Sequence, residues 1–456
     1  MGLVRRPRRP HNGAMTPRRE VRTALVDRPA RDDTPAEPGA PISGELRRVL
    51  RPLLVMIVLA VPLEIPRLAL NAVAADGPIA LFMLVAAAAA WRERVRLRLP
   101  LAGSYVLIVL GGVIAMTQTI VPTKSAQALV IDIYLFLWFL LLANVLAKDA
   151  GARRTVAVAW VWAGVGEALF MSYAHLRFPG RTPRIFGTPT TDAFNRTNGT
   201  LFDPNLAGFY LVVSLFVLWA APKPSHRWTK VVLSIPLLYG IYTTQSITAI
   251  ATVVGGTIVA LTVAFVSRRD VVVASVLFML AASFVVVALL PENVSERSAT
   301  VINAIGKTGP FTGSIGRENS SLGGRTQRWA EALQLFGGNL LVGIGPASSA
   351  QTLARYQARI GGELHNDYIA GFIERGVVGG IGVLALFVVA GTWAVRVGTK
   401  RGLASQGWHP AALTGAMAAI VMTALTLEVL HFRHVWLFLA LLIGVGLAED
   451  EAQVPG

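Results

Sequence analysis

The chain contains no cysteine, which excludes disulfides, zinc–thiolate centres, iron–sulfur clusters and a cysteine nucleophile. Charge is also scarce. Only 15% of its 456 residues are charged against 54% hydrophobic ones, a balance too apolar for a soluble domain of this length. Acids are the scarcer sign, 26 against 42 Lys and Arg, which leaves a formal net charge of +16. Much of that excess sits in the first residues and in short loops, where it bears on topology and lipid headgroups; no nucleic-acid partner is expected. No Asp-x-Asp pair occurs in the polar stretches 177–203 and 291–375, so neither a metal nor another cofactor is expected. No internal repeat and no pair of inverted, Gly/Pro-broken spans is found, which disfavours a secondary transporter.

What is present is a succession of apolar runs. They fall at about 52–70, 78–91, 100–121, 125–147, 154–176, 204–221, 229–243, 247–266, 270–290, 376–396, 410–428 and 434–448. The pattern predicts an all-α, polytopic integral membrane protein of about twelve transmembrane helices. Residues 1–45, basic and Pro-rich without apolar periodicity, are expected to be a disordered cytoplasmic tail. Arg5 and Arg6 do not read as an export signal, because no apolar core follows before Leu50.

Basic residues follow every second run: Arg92, Arg94, Arg96 and Arg98; Lys148, Arg153 and Arg154; Lys223, Arg227 and Lys230; Arg268 and Arg269; Lys400 and Arg401. By the positive-inside rule both termini are then cytoplasmic. Residues 46–290 hold helices one to nine, 376–448 hold ten to twelve, and 449–456 form a short cytoplasmic tail.

Two polar stretches, 177–203 and 291–375, fall on the opposite, extracytoplasmic side, and both are rich in arginine. Arg177, Arg181, Arg184 and Arg196 are unexpected there under the same rule, which implies an anionic partner. Pro179, Gly180, Pro183, Gly187 and Pro189 make the first stretch a loop, with Asp203 or Asn205 capping the next helix. The second is expected to contain short amphipathic helices. Arg325, Trp329, Leu333 and Phe336 recur at helical spacing, predicting one face for the membrane interface.

Three segments carry the chemistry: R-T-N-G-T-L-F-D-P-N at Arg196–Asn205, G-G-R-T-Q-R-W at Gly323–Trp329 with G-G-N-L-L-V-G-I-G-P at Gly337–Pro346, and L-H-N-D-Y-I-A-G-F-I-E-R-G-V-V-G at Leu364–Gly379. Together, in this order and on one side of the membrane, they resemble the O-antigen ligase and polymerase family of bacterial membrane glycosyltransferases over roughly residues 50–448. The resemblance implies a GT-C-like fold in the bacterial cytoplasmic membrane. It also implies inverting transfer of a glycan from a polyprenyl-pyrophosphate carrier to an acceptor hydroxyl on a glycan, lipid or protein. Arg196 and Arg325 match the family's pyrophosphate-holding arginines, and His365 matches the histidine that activates the acceptor.

The residue chemistry agrees. Guanidinium is permanently cationic and contacts phosphate bidentately. Pyrophosphate leaves without a general acid, whereas a sugar hydroxyl gains from a base such as imidazole. Arg328 competes with Arg325 for the phosphate role, with the R-x-x-x-W spacing favouring Arg325. Trp329, Asn205, Asn366, Tyr368 and Glu374 are weaker substrate-binding candidates, and Arg355 and Arg359 could add a second cationic face. Glu64 and Arg67 are expected to pair with each other, while Asp132, Glu167 and Glu428 read as isolated acids in apolar runs. Asp76, in the first outer loop, is a position where other polyprenyl-sugar transferases place a catalytic acid. A transporter of an anionic lipid or sugar would instead depend on Asp132, Glu167 and Glu428, and a ligase and a polymerase would share one pyrophosphate clamp.

Overall fold

The computed structural model describes residues 44–65, 72–178, 184–185, 188–191, 196–267, 325–356, 362–400 and 402–452. The basic tail up to residue 43, the apolar run 270–290, the first part of the second polar stretch (291–324), Arg67, Arg181 and Arg359 lie outside them. Every described residue belongs to the compact unit Glu37–Gly456.

The architecture is helical, with a single two-residue antiparallel pair among the described residues. Helices α1 (Gly44–Ala60), α2 (Asp76–Arg92), α3 (Ala102–Ala115), α4 (Pro122–Lys148) and α5 (Ala150–Arg177) precede strands β1 (Arg184–Ile185) and β2 (Thr188–Pro189). Then come α6 (Pro204–Ala220), α7 (Arg227–Thr244), α8 (Ile247–Val266), α9 (325–336), α10 (Ser349–Arg355), α11 (Asp367–Thr399), α12 (Gly402–Ser405), α13 (Pro410–Thr423) and α14 (Arg433–Ala452). Apart from 270–290, each predicted apolar run overlaps a helix, though the runs 52–70, 100–121 and 410–428 extend past the helix ends at Ala60, Ala115 and Thr423. By length and composition, however, among the described residues only α4, α5, α8 and α11 are long and apolar enough to cross a membrane. The described helices therefore fall short of the expected twelve crossings. Part of the reason is length: α3 and α13 have 14 residues and α6 has 17, below the roughly 20 that a hydrocarbon core requires; α7 and α14, with 18 and 20 residues, are instead limited by their polar and charged residues.

Helix α6 sits at the centre of the bundle. All of its residues except Asn205 are buried, as expected for a helix apolar on every side. Asp203 caps its start, its Oδ1 accepting from the amides of Asn205 at 2.7 Å and Leu206 at 3.2 Å. Buried Lys230 donates to the carbonyls of Trp219 (3.1 Å) and Ala221 (2.7 Å) at the other end, complementing the helix dipole. Around this axis α3 packs on α11, α14 on α4, and α8 on α13.

The first polar stretch, 177–203, is non-helical from Arg184 to Asp203 where it is described. After the β1–β2 pair and a bridge between Thr191 and Thr197, it is pinned by Glu167 of α5. That carboxylate accepts from the Thr200 amide at 2.7 Å and from its hydroxyl at 2.6 Å.

Helix α11 begins nine residues before the predicted run at 376, because Asn366 caps it and the polar pair Glu374 and Arg375 is buried. At Gly376 (φ 67°, ψ −175°) the helix breaks. Carbonyls freed upstream are taken by another segment: Ile373 accepts from the Ile344 amide and Glu374 from that of Gly345, both at 3.0 Å. Two glycines permit this. A Cβ on Gly376 would stand 2.6 Å from the carbonyl oxygens of Leu341 and Val342, and one on Gly343 would lie 2.5 Å from the Gly376 nitrogen.

The interface face expected of α9 is corrected. Arg325, Ala332 and Phe336 are buried and Trp329 is half-buried, packed with Ile344, Leu353, Leu364, Ala370 and Ile373, whereas Leu333 is 44% exposed. At 100° per residue Leu333 lies about 80° from Arg325, while Ala332 and Phe336 lie within about 20° of it. The apolar stripe therefore faces the protein. At the C-terminal end, α14 runs four residues past the predicted 448, and Lys400 bonds to its Asp450.

Gly376→Ala is expected to lower the thermal unfolding midpoint in detergent. The backbone conformation alone costs a non-glycine residue about 1–3 kcal/mol, and the Cβ clash adds to it. An unchanged midpoint would contradict the helix break.

Candidate active site

A cavity of about 340 Å³ opens where α4, α6, α9 and α11 meet the connections before α2 and before α14. Four of the residues singled out from sequence line it: Arg325, His365, Asn205 and Glu374. Arg196 stands one step behind. Its Nη2 donates to Asn205 Oδ1 at 2.7 Å and its Nε to the Thr244 carbonyl at 2.9 Å. The guanidinium thus reaches the cavity wall through Asn205.

Arg328, Trp329, Asn366 and Tyr368 hold backbone next to the cavity. Arg328 Nη1 donates to the Glu363 carbonyl at 2.6 Å, and Trp329 Nε1 to that of Leu364 at 2.8 Å. Asn366 Oδ1 accepts from the amides of Tyr368 and Ile369, both at 3.0 Å, and the Tyr368 hydroxyl donates to the Val421 carbonyl at 3.1 Å. These four side chains surround His365 without lining the cavity. Of the two arginines, Arg325 lines the cavity and Arg328 bonds to the chain beside it.

His365 itself adopts a left-handed backbone, φ 51°, uncommon for a residue with a side chain. Its amide donates to Glu428 Oε1 at 3.1 Å. Glu374 holds the opposite rim, with Oε2 accepting from the Ala347 amide at 2.7 Å and Oε1 from that of Ser349 at 3.2 Å.

Several lining residues escaped the sequence reading: Lys124, Glu363, His431 and Arg433. Glu428 was noticed only as an isolated acid in a span. Helix α13 ends at Thr423, which puts Glu428 in the connection to α14, where its Oε2 stands 3.6 Å from His431 Nε2. Asp132 is not isolated either, since its Oδ2 takes a 2.6 Å bond from Arg375 and its Oδ1 lies 3.8 Å from His431 Nδ1. Glu64 faces the cavity, and its expected partner Arg67 lies outside the described residues. Asp76 is no free acid. It receives Arg433 through both oxygens at 2.7 and 2.6 Å, the Tyr134 hydroxyl at 3.1 Å and the Val73 amide at 2.8 Å. The one available signal was the spacing E-x-x-H at Glu428–His431, a single turn of sequence.

Acidic side chains outnumber Lys and Arg on the cavity lining, but Asp203, Glu374 and Glu428 are engaged in capping, holding the rim and pairing. Burial pushes the Glu428 carboxyl up; the hydrogen bond and charge of His431, with His365 adding to it, prevail and hold it below 4.5. For His431 burial opposes the cation, yet the contact with Glu428 and the charge of Asp132 raise it to about 9. Glu428 and His431 are thus an ion pair at neutral pH.

Residues 231–384 match the family described as O-antigen ligase. This segment belongs to the O-antigen ligase family. It includes Arg325, Trp329, His365, Asn366 and Glu374, and ends before Glu428, His431 and Arg433; Arg196 and Asn205 precede it. No curated protein matches the chain. The match of residues 231–384 to the O-antigen ligase family, with the long apolar helices, supports a bacterial membrane protein and a ligase- or polymerase-like role in polysaccharide assembly.

A pH dependence follows from the ion pair. A histidine raised from 6.5 to about 9 contributes stability that is complete below about pH 6.5 and lost as pH rises through 9. A carboxylate held below 4.5 contributes stability that is present above pH 4.5 and lost as pH falls through its lowered value. The unfolding midpoint in detergent should therefore decline from pH 6.5 to 9.5. His431→Gln should flatten that decline, and an equally steep decline in the variant would remove the pair as its cause.

Proposed function

We propose that the protein is an inverting glycosyltransferase that moves a glycan from a polyprenyl-pyrophosphate carrier to an acceptor hydroxyl during cell-surface polysaccharide assembly. The observation that carries this reading is the presence of Arg325 and His365 in the lining of one cavity, with Arg196 joined to it through Asn205. In the proposed arrangement both termini are cytoplasmic, the segments 196–205 and 325–375 face outwards, and the cavity opens toward the lipid carrier.

The acceptor hydroxyl attacks the anomeric carbon from the face opposite the pyrophosphate. His365 takes the hydroxyl proton as the new C–O bond forms. The old C–O bond breaks, and its electron pair leaves with the lipid pyrophosphate. Arg325 balances the negative charge that develops on the leaving group, and Asn205, oriented by Arg196, adds an amide donor. Lys124 supplies further positive charge on the same lining, while the Arg433 charge there is balanced by Asp76.

Ligase and polymerase differ in acceptor alone and would use this site alike. A transporter reading is weaker. The acids it requires are engaged within the fold: Asp132 with Arg375, Glu167 with Thr200, and Glu428 with His431.

The test incubates purified protein with a polyprenyl-pyrophosphate oligosaccharide and candidate acceptors, and identifies which product carries the glycan. His365→Ala should reduce transfer by at least about 10²-fold, the lower end of what a general base contributes. Arg328→Ala, whose side chain does not line the cavity, should retain more activity than His365→Ala. Full transfer in His365→Ala would remove the assigned base.

A further inference from the structure

The connection between α13 and α14 is docked on the turn that opens α11. His365 N donates to Glu428 Oε1 at 3.1 Å, Asn366 Nδ2 to the Leu425 carbonyl at 2.9 Å, and Asp367 N to the Ala424 carbonyl at 3.0 Å. In return Val429 N donates to Asp367 Oδ2 at 2.7 Å. Of these contacts only the first reaches His365 itself, through the Glu428 carboxylate.

That side chain ends a row of alternating charge. Arg375 bonds Asp132 at 2.6 Å, Asp132 faces His431 at 3.8 Å, and His431 faces Glu428 at 3.6 Å. The row ties α4 and the outer segment of α11 to the α13–α14 connection. Asp367, Glu374 and Tyr105 also line the small cavity, about 30 Å³, into which Asp132, Arg375, His431 and Glu428 face. Removing one member of such a buried row leaves its neighbour uncompensated, so each depends on the next.

We propose that the Glu428–His431 pair, braced by Asp132 and Arg375, is the positioning device of His365: it fixes the left-handed backbone and thereby sets where the imidazole meets the acceptor hydroxyl. This rests on the assignment of His365 as the base. Left-handed φ at a histidine persists only where the surroundings over-determine it. Here three neighbouring groups do so: Trp329 on the Leu364 carbonyl, the Asn366 cap, and Glu428 on the His365 amide. The first two lie within the matched family segment, and the Glu428–His431 pair lies beyond its end.

Glu428 and His431 do not touch the reacting atoms in this proposal, so their replacement should misplace the base without removing it. Kinetic constants are to be measured for wild type, Glu428→Ala, Glu428→Gln, His431→Gln and His365→Ala, with the lipid-linked donor varied and the unfolding midpoint recorded. Glu428→Ala and His431→Gln should lower kcat about ten- to a hundredfold, the scale of a small misplacement, with donor KM within about twofold. Glu428→Gln, which keeps an acceptor for the His365 amide, should recover part of the rate. The wild-type rate should fall on the alkaline side as His431 gives up its proton, and His431→Gln should lack that limb.

Wild-type kcat in Glu428→Ala or His431→Gln, with His365→Ala inactive, overturns the positioning role and leaves the site assignment standing. A raised donor KM at constant kcat also overturns it. Should Glu428→Ala fail to fold, His431→Gln and Glu428→Gln decide by the same criteria. Full activity in His365→Ala removes the base, and the positioning role with it.

Discussion

The break in α11 at Gly376 is the constraint from which the candidate site is built. An uninterrupted helix would satisfy the carbonyls of Ile373 and Glu374 internally; broken, it offers them to the amides of Ile344 and Gly345. That exchange draws the G-I-G-P segment against α11, and the Glu374 carboxylate completes the join through the amides of Ala347 and Ser349. Residues 367–375 thereby form a short helical piece whose start, capped by Asn366, sits at the cavity rim. His365 lies immediately before that cap.

The second constraint is charge in an apolar bundle. Burying an unpaired ion is costly, and most buried acids around the site have specific partners. Asp132 meets Arg375 and His431, Asp76 meets Arg433 and Tyr134, and Glu167 meets Thr200. These contacts join α4 to α11, α2 to α14, and α5 to the segment before α6. The same polar groups that would oppose burial thus fix the segments carrying Arg196, Arg433 and His365. A lining that holds both cations and engaged acids can present positive charge to a pyrophosphate without leaving bare carboxylates opposite it; Glu64 and Glu363 are the lining acids whose roles the cap, rim and ion-pair contacts do not cover.

Much of this was legible in the sequence for identifiable reasons. Helices followed from the apolar runs, and Arg325, His365, Asn205 and Glu374 stood out because each lies in a motif with a recognisable neighbour. Glu428 and His431 did not, because their partners are distant: Glu428 meets His365 across 63 residues, and Asp132 meets Arg375 across 243. A lone acid at the edge of an apolar run carries no mark of such pairing. Asn366 and Tyr368 were visible as motif members, but only coordinates distinguish a helix cap from a ligand contact. The stripe on α9 was misread through one residue, Leu333, because a spacing of eight leaves the face of a helix by about 80°. The start of α11 was placed too late because Glu374 and Arg375 look like loop residues until their burial partners are known.

The central claim is that the cavity wall bearing Arg325 holds the pyrophosphate of a lipid-linked donor. It is tested most directly by the affinity of the purified protein for a polyprenyl pyrophosphate, compared with that of Arg325→Met. Removing one charge-assisted hydrogen bond weakens binding by at least about tenfold; that weakening, with the fold intact, is the expected result. Equal affinity of the two proteins would contradict the account.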